Sequence, residues 1–340
     1  MKRLIECVPN FSEGRDSSVI DAIVRAIADA KTPDGRSVRV LNVDPGEAAN
    51  RTVVTFAGEP ETVCEAAFQG AKKAQELIDM RLHRGKHPRS GAIDVLPLVP
   101  VAGISLEECA VLARNLAARM YRELGIPCYC YEAAAFKPER RNLAVCRAGE
   151  YEALPEKMAD PERRPDFGPE SYDETAARSG ASNVGARNFL IAVNFNLDTE
   201  DAGIAQEIAC EVREKGRKTA DGTWMPGSLK GCKAIGWHIP EYGAAQVSMN
   251  ITDIAATPLH EAFEEVSARA QAHGLHVTGT EIIGLVPKKV LLEAGRHFLA
   301  KQRPCSEASE EELFKAADKG MALSWRRLFS PSEKVLENLV

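Results

Sequence analysis

Arg51-Thr52-Val53-Val54-Thr55-Phe56-Ala57-Gly58-Glu59-Pro60 is a β-branched and aromatic run that stops at a glycine and restarts at a proline. Thr52–Phe56 has the composition of a strand. Pro60 stands where the first turn of a helix tolerates a missing N–H. Cys64, Ala67, Phe68, Ala71, Ala74 and Ile78 then recur at helical spacing, so the run predicts a strand leading into a helix with one buried stripe. Far along the chain, Val247-Ser248-Met249-Asn250-Ile251 leads in the same way to Thr257-Pro258. A repeated strand-to-proline-helix step points to a duplicated unit.

Working outward, Leu4–Val8 reads as a strand and Asn10–Arg15 as a loop. Ile20, Ile23, Ala26 and Ile27 mark a helix over 17–30, and Val38–Val43 is a strand closed by the turn signal Asp44-Pro45-Gly46. With a strand at 92–99 the order is strand, helix, strand, strand, helix, strand, the ferredoxin-like arrangement. A helix from Leu106 to Leu124 and a strand at Cys128–Tyr131 extend it. Residues 151–183, with Pro155, Pro161, Pro165 and Pro169, form an irregular connector of a length that ordinary loops do not reach. The order then restarts with Phe189–Phe195, a helix at Ile204, Ile208 and Val212, strands at 231–238 and 245–251, a helix from Pro258, and a strand at 276–283. The fold class is α+β: two ferredoxin-like (βαββαβ) subdomains, 1–183 with its connector and 184–300, followed by a helical, peripheral tail at 301–340.

The chain of 340 residues is 44% hydrophobic and 27% charged, with a net charge of −6. That balance argues against general nucleic-acid affinity. Nine cysteines occur, an odd number without a C-x-x-C spacing, which suits reduced thiols in a cytoplasm. Cys128 and Cys130 would share one face of a strand as packing residues. No signal-peptide core and no run of eighteen apolar residues is present, so a cytoplasmic protein with no membrane span is expected. Phosphate-binding glycine loops are absent, and no nucleotide is expected. The histidines beyond residue 200 lack ligand spacing, and no metal is expected.

Chemistry concentrates in Arg84-Gly85-Lys86-His87-Pro88-Arg89-Ser90-Gly91-Ala92-Ile93-Asp94. Pro88 holds His87 toward extended backbone, and a charged, conformationally fixed loop at a strand end is a frequent place for catalysis. His83, four residues earlier, competes with His87 on residue type alone.

Several stretches resemble the formiminotransferases (glutamate formimidoyltransferases). They are Glu6-Cys7-Val8-Pro9-Asn10-Phe11-Ser12-Glu13-Gly14, Asn50-Arg51-Thr52, Lys86-His87-Pro88-Arg89, Gly91–Val95, Arg147–Pro155, Asp166-Phe167-Gly168-Pro169, Gly185-Ala186-Arg187 and Gly284–Pro287. They occur in order over essentially the whole chain. The resemblance implies transfer of the formimino group of N-formimino-L-glutamate to N5 of tetrahydrofolate, in histidine degradation. It implies a homodimer whose two ferredoxin-like subdomains flank a substrate tunnel. Ending at Val340, the chain reads as the stand-alone bacterial type, without a cyclodeaminase.

On that resemblance His87 is the catalytic histidine, general base and then general acid. The donor's two carboxylates suit bidentate arginines, with Arg51, Arg89 and Arg187 as candidates. Each is also readable as a surface or interface arginine. Asp44 and Asp94 are candidates for orienting the imidazole or binding the formimino nitrogens, although Asp44 also reads as a turn residue. Asn10 is a candidate hydrogen-bond donor. Folate falls to Gly168, Pro169, Glu170, Ser171, Tyr172, Asp173, Ser179 and Gly180. This loop lacks the His-Pro that many bacterial members carry there. Trp237 is a candidate neighbour of the pteridine. Two alternatives stay open: a formyltransferase acting between 5-formyltetrahydrofolate and glutamate, and a non-catalytic folate-binding protein.

Overall fold

Ile5 and Cys7 face one side of β1 (Leu4–Cys7) and Glu6 the other, and Pro9 breaks the strand before it resumes as β2 (Asn10–Phe11). The computed structural model describes residues 3–302 and 308–338. Asp16 accepts from the backbone of Ser18 and Val19 and so starts α1 (Ser17–Ala28), whose Ile20, Ile23 and Ile27 are buried. β3 (Arg39–Gly46), β4 (Arg51–Gly58), α2 (Pro60–Leu77) and β5 (Ile93–Ala102) follow. A Ser105–Glu108 capping box opens α3 (Leu106–Leu124), and Gly125, at φ +70°, closes it. Next come β6 (Cys128–Glu132), the short helices α4 (Leu143–Cys146), α5 (Leu154–Ala159) and α6 (Glu174–Ser179), and β7 (Ser182–Ala186).

Among the described residues this first unit, Met1–Phe189, forms one sheet in the order β3, β4, β1 with β2, β5, β7, β6. Its pairings are antiparallel except β5 with β7 and β7 with β6. Side chains alternate across a strand. Val54, Phe56, Leu96, Leu98, Cys128, Cys130, Val184 and Ala186 therefore join α1–α3 in one core. Each buried Val, Leu or Phe among them contributes about 1.5–3 kcal/mol. Arg51, Asn183, Tyr129 and Tyr131 occupy the alternate positions. The opposite sheet face thus carries the polar groups.

The second unit, Leu190–Val340, contains β8 (Ile191–Leu197), α7 (Ala202–Val212), the hairpin strands β9 (Arg217–Lys218) and β10 (Trp224–Met225), β11 (Cys232–Ile239), β12 (Ala244–Ile251), α8 (Leu259–Ala272) and β13 (Val277–Ile283). Its main sheet runs β11, β12, β8, β13, all antiparallel. Helices α9 (Lys288–Ala300), α10 (Glu310–Met321) and α11 (Pro331–Lys334) complete it. The chain is α+β with two similarly ordered units.

Three local expectations change. Asp44-Pro45-Gly46 is not a turn: β3 continues through it, pairing with Val53, Thr52 and Arg51, and the chain reverses at 47–50. β3 is an edge strand, where a proline without an N–H costs no ladder bond. The connector conceals β7, whose Ser182, Asn183 and Gly185 disguise a central parallel strand. The C-terminal segment is not peripheral, since Ala317, Met321 and Val335 lie in the second unit's core. The described cysteines are free; Cys305 lies outside the described residues.

Truncating a buried core side chain leaves a cavity that costs about 2–5 kcal/mol. Met321→Ala should therefore destabilise the second unit by that amount, read as a lower denaturation midpoint by circular dichroism. A change below about 0.5 kcal/mol, the scale of surface substitutions, would place α10 outside the core.

Candidate active site

Asn50 closes the reversal between β3 and β4 at φ +46°, a left-handed conformation that asparagine tolerates. Its amide joins two loops: Oδ1 accepts from Gly14 N at 3.0 Å, and Nδ2 donates to Arg84 O at 3.0 Å. The Nε2 of His83 donates to Asn50 O at 2.8 Å. Gly85 permits this docking, because a Cβ there would lie 2.2 Å from Ala49 O. The histidine loop is thereby held against the start of β4.

Asp94 is fully buried at the head of β5 and collects four donor atoms from three residues. Oδ1 accepts from Ser90 N at 2.9 Å and from Arg147 Nε at 3.2 Å. Oδ2 accepts from Arg51 Nη1 and Arg147 Nη2. Arg51 also donates from Nε to Asn10 Oδ1 at 3.0 Å. Burial pushes the Asp94 carboxyl up, but the charges of Arg147 and Arg51 outweigh it and hold it at about 2. Burial pulls the Arg51 guanidinium down to about 10, with Asp94 opposing and Arg147 adding to the fall. Two guanidiniums share one carboxylate.

His87 is half-buried, and its Nδ1 donates to Pro88 O at 2.8 Å. A carbonyl only accepts, so the neutral ring carries its lone pair on Nε2. Burial, and next the charges of Arg51 and Arg147, pull the imidazole down to about 3; the Pro88 bond and Asp94 oppose them. The ring is therefore neutral near pH 7.

Of the residues expected from sequence, Asn10, Arg51, His87 and Asp94 come together. Arg89 does not join them. Its guanidinium is committed to Glu150 at 2.9 Å and to Glu152 at 2.6 Å, and its Nε points to His83 Nδ1 at 3.4 Å. Arg187 donates to Asn188 O at 3.0 Å and bears on Tyr131 and the buried Glu6. Burial raises Glu6 to about 7 against the pull of Arg187, and raises Tyr131 to about 12 against Arg187 and Arg147. Asp44 pairs with Val53 on the edge strand. Arg147 is the residue that sequence reasoning left without a role. Its signal was its place at the head of the Arg147–Pro155 motif.

The segment 168–180, which the sequence reading assigns to folate, is anchored at both ends. Phe167, just before it, bridges to Cys128. Asp173 caps α6 by accepting from Ala176 N at 2.8 Å. Tyr172 OH lies 3.5 Å from Tyr151 OH. Ser179 O accepts from Ala92 N at 2.7 Å, and Gly180 bridges to Gly91. Ser179 and Gly180 therefore abut the histidine loop, while Glu170, Ser171, Tyr172 and Asp173 form an exposed arc between the anchors, reached through half-buried Gly168 and Pro169.

The second unit carries a neutral chain instead. Trp237 Nε1 donates to Gln246 Oε1 at 2.9 Å, Gln246 Nε2 to Asn196 Oδ1 at 2.7 Å, and Asn196 Nδ2 to Gly279 O at 3.3 Å. Among the described residues no group of three or more His, Cys, Asp or Glu is placed to hold a metal ion, and no helix is long and apolar enough to cross a membrane.

Residues 4–187 match the N-terminal subdomain of the formiminotransferase domain, and residues 192–340 match the formiminotransferase domain itself. The chain belongs to the formiminotransferase family. It is 46% identical over 340 residues to the formimidoyltransferase-cyclodeaminase of Gallus gallus, and that match takes in 100% of this chain and 60% of the relative. It is 42% identical over 299 residues to the glutamate formimidoyltransferase of Streptococcus pyogenes, covering 88% of this chain and 94% of the relative. For the glutamate formimidoyltransferase of Thermoplasma acidophilum the identity is 40% over 298 residues, with 87% and 92% covered. The family's two matched segments coincide closely with the two units.

Removing one member of a buried charge cluster costs about 3–5 kcal/mol, because the partners stay buried and uncompensated. Asp94→Ala, which strands two cations, should show at least that loss in denaturant unfolding. The Asp94 carboxyl is lowered in the folded state, so its stabilisation is present above the ordinary carboxylate range near pH 4. It should fade as pH falls toward about 2. A variant whose stability difference from wild type is the same at pH 2 and pH 6 would contradict the ionic role.

Proposed function

We propose that this chain transfers the formimino group of N-formimino-L-glutamate to N5 of tetrahydrofolate, releasing L-glutamate and 5-formiminotetrahydrofolate, in histidine degradation. Family membership supports this reading. So do the names of the relatives matched over most of their length, glutamate formimidoyltransferases. The observation that carries it is the neutral His87 imidazole beside the Arg51–Asp94–Arg147 cluster. The ferredoxin-like description of each unit belongs with the proposal, supported by the strand order in which the first strand lies between the third and fourth and the second is at the edge. The substrate tunnel, the homodimer and the cytoplasmic location implied by the resemblance belong with it too.

The chemistry follows from the charge count. Two guanidiniums against one carboxylate leave a surplus positive charge, which a glutamate carboxylate neutralises. N5 attacks the formimino carbon, forming the new C–N bond. His87 takes the proton that N5 loses and returns it to the glutamate nitrogen as the old C–N bond breaks. Folate is held along residues 168–180, whose end abuts the histidine loop. Arg51 and Arg147 also keep His87 a weak base until an anion binds. A carboxylate seated on them removes part of that depression and raises the imidazole toward the working pH, where proton transfer is most effective.

A steady-state assay with formiminoglutamate and tetrahydrofolate tests the reaction. His87→Ala should lower kcat by about 10²–10⁴ while folate binding changes little; undiminished turnover would remove His87 from its role. The pH profiles give a second reading, since kcat/KM reports the free enzyme and kcat the substrate complex. The acid limb of kcat/KM should fall below pH 6.5, and the acid limb of kcat should lie at higher pH than that of kcat/KM. The reverse order would separate the arginines from His87.

A further inference from the structure

Asn183 is fully buried on β7 and is oriented by one hydrogen bond: Nδ2 donates to the main-chain oxygen of Asp94 at 2.8 Å. A carbonyl oxygen only accepts, so the amide nitrogen must face Asp94 and Oδ1 must face elsewhere. That Oδ1 is buried and receives no hydrogen bond from the described residues. A buried acceptor left unpaired costs about 1–3 kcal/mol, and native structures keep few of them. Ser90 Oγ is in the same condition, and the backbone N–H of Ser90 donates to Asp94 Oδ1. Two unpaired polar atoms thus belong to the residues that hydrogen-bond Asp94, the anchor of both arginines. In register, Asn183 pairs with Val95, the residue after Asp94.

We propose that Asn183 Oδ1 accepts a hydrogen bond from the terminal N–H of the formimino group, and that this contact distinguishes a formimino from a formyl donor. The proposal rests on the reaction above and names its selectivity. A formimino group carries N–H at its terminal nitrogen whether neutral or protonated. A formyl group carries an oxygen there, which only accepts. Asn183 cannot present its NH₂ to that oxygen without releasing Asp94, so a formyl donor would set two acceptors against each other. Sites built around a substrate N–H can reject analogues lacking it by factors of about 10⁴–10⁵.

Affinities of N-formimino- and N-formyl-L-glutamate, measured by calorimetry on the whole chain, test this. Wild type should favour the formimino compound by about tenfold or more, the equivalent of one such contact. Asn183→Leu, nearly isosteric but without the acceptor, should bring the ratio close to one. Asn183→Asp, which keeps an acceptor oxygen, should retain the preference. Equal wild-type affinities overturn the proposal without any variant. So does a folded Asn183→Leu that keeps the wild-type ratio, or one that loses both ligands in parallel, the mark of a structural role. Should Asn183→Leu fail to fold, the wild-type ratio and Asn183→Asp decide. Preference for the formimino compound without turnover in the presence of tetrahydrofolate would reject the reaction and leave the recognition standing.

Discussion

One buried carboxylate holds two guanidiniums, and much of the first unit is arranged around that imbalance. Each ion taken out of water costs several kcal/mol, and Asp94 cannot compensate two cations in full. The structure lowers the cost by geometry. Both Asp94 oxygens are engaged, by Ser90 N and Arg147 on one side and by Arg51 and Arg147 on the other. Arg51 gains a further acceptor in Asn10. Three chain segments therefore meet at one side chain: the start of β4, the head of β5 and Arg147, the residue that follows α4. Local backbone features are subordinate to it, including the left-handed Asn50 and the docking that Gly85 permits.

The same imbalance adds to burial in setting the state of His87. A half-buried histidine with the Pro88 carbonyl on Nδ1 has a fixed tautomer, and its basicity is lowered first by burial and then by its cationic neighbours. Arg51 and Arg147 act on it without being spent, since their surplus charge persists until an anion arrives. Arg89 shows the contrast. It lies two residues from His87 and is equally cationic, yet Glu150 and Glu152 consume its charge. Proximity in sequence does not decide which arginine matters; the count of local counter-charges does.

That distinction explains what was legible beforehand. Apolar periodicity marks α1, α2 and the strands packed on them, because burial on one face writes a period into the sequence. Asp94 was visible as a charge inside an apolar run. β7 was not, because a central parallel strand carrying Ser182, Asn183 and Gly185 has no strand composition to show. Gly185 is there for Tyr131, whose Cδ1 would lie 2.5 Å from an added Cβ. Asp44-Pro45-Gly46 carried a true turn signal that the edge position of β3 overrode. Arg147 sits in a charged connector where residue type alone separates nothing; only its three-dimensional partner does.

The duplication makes a controlled comparison within one chain. In both units the first strand lies between the third and fourth, so backbone topology does not determine where the charges go. In the second unit that strand, β8, is continuous, although its ladder to β13 shifts register between Val277 and Gly279; Asn196 joins a neutral amide chain with Gln246 and Trp237, and Asn194 donates to Glu281. In the first unit Pro9 interrupts the strand between β1 and β2, and the bulge between Asn10 and Phe11 shifts its register against β5. Asn10 then reaches Arg51, and Asp94 falls at the irregular head of β5 instead of within a regular ladder. Both units thus carry a register shift beside that strand, and the difference lies in what meets it: in the second unit the Gly279 carbonyl takes the neutral amide of Asn196. In the first the Ser90 N–H donates to the carboxylate of Asp94 and the Asp94 carbonyl takes the amide of Asn183, and the charged site is built on those groups.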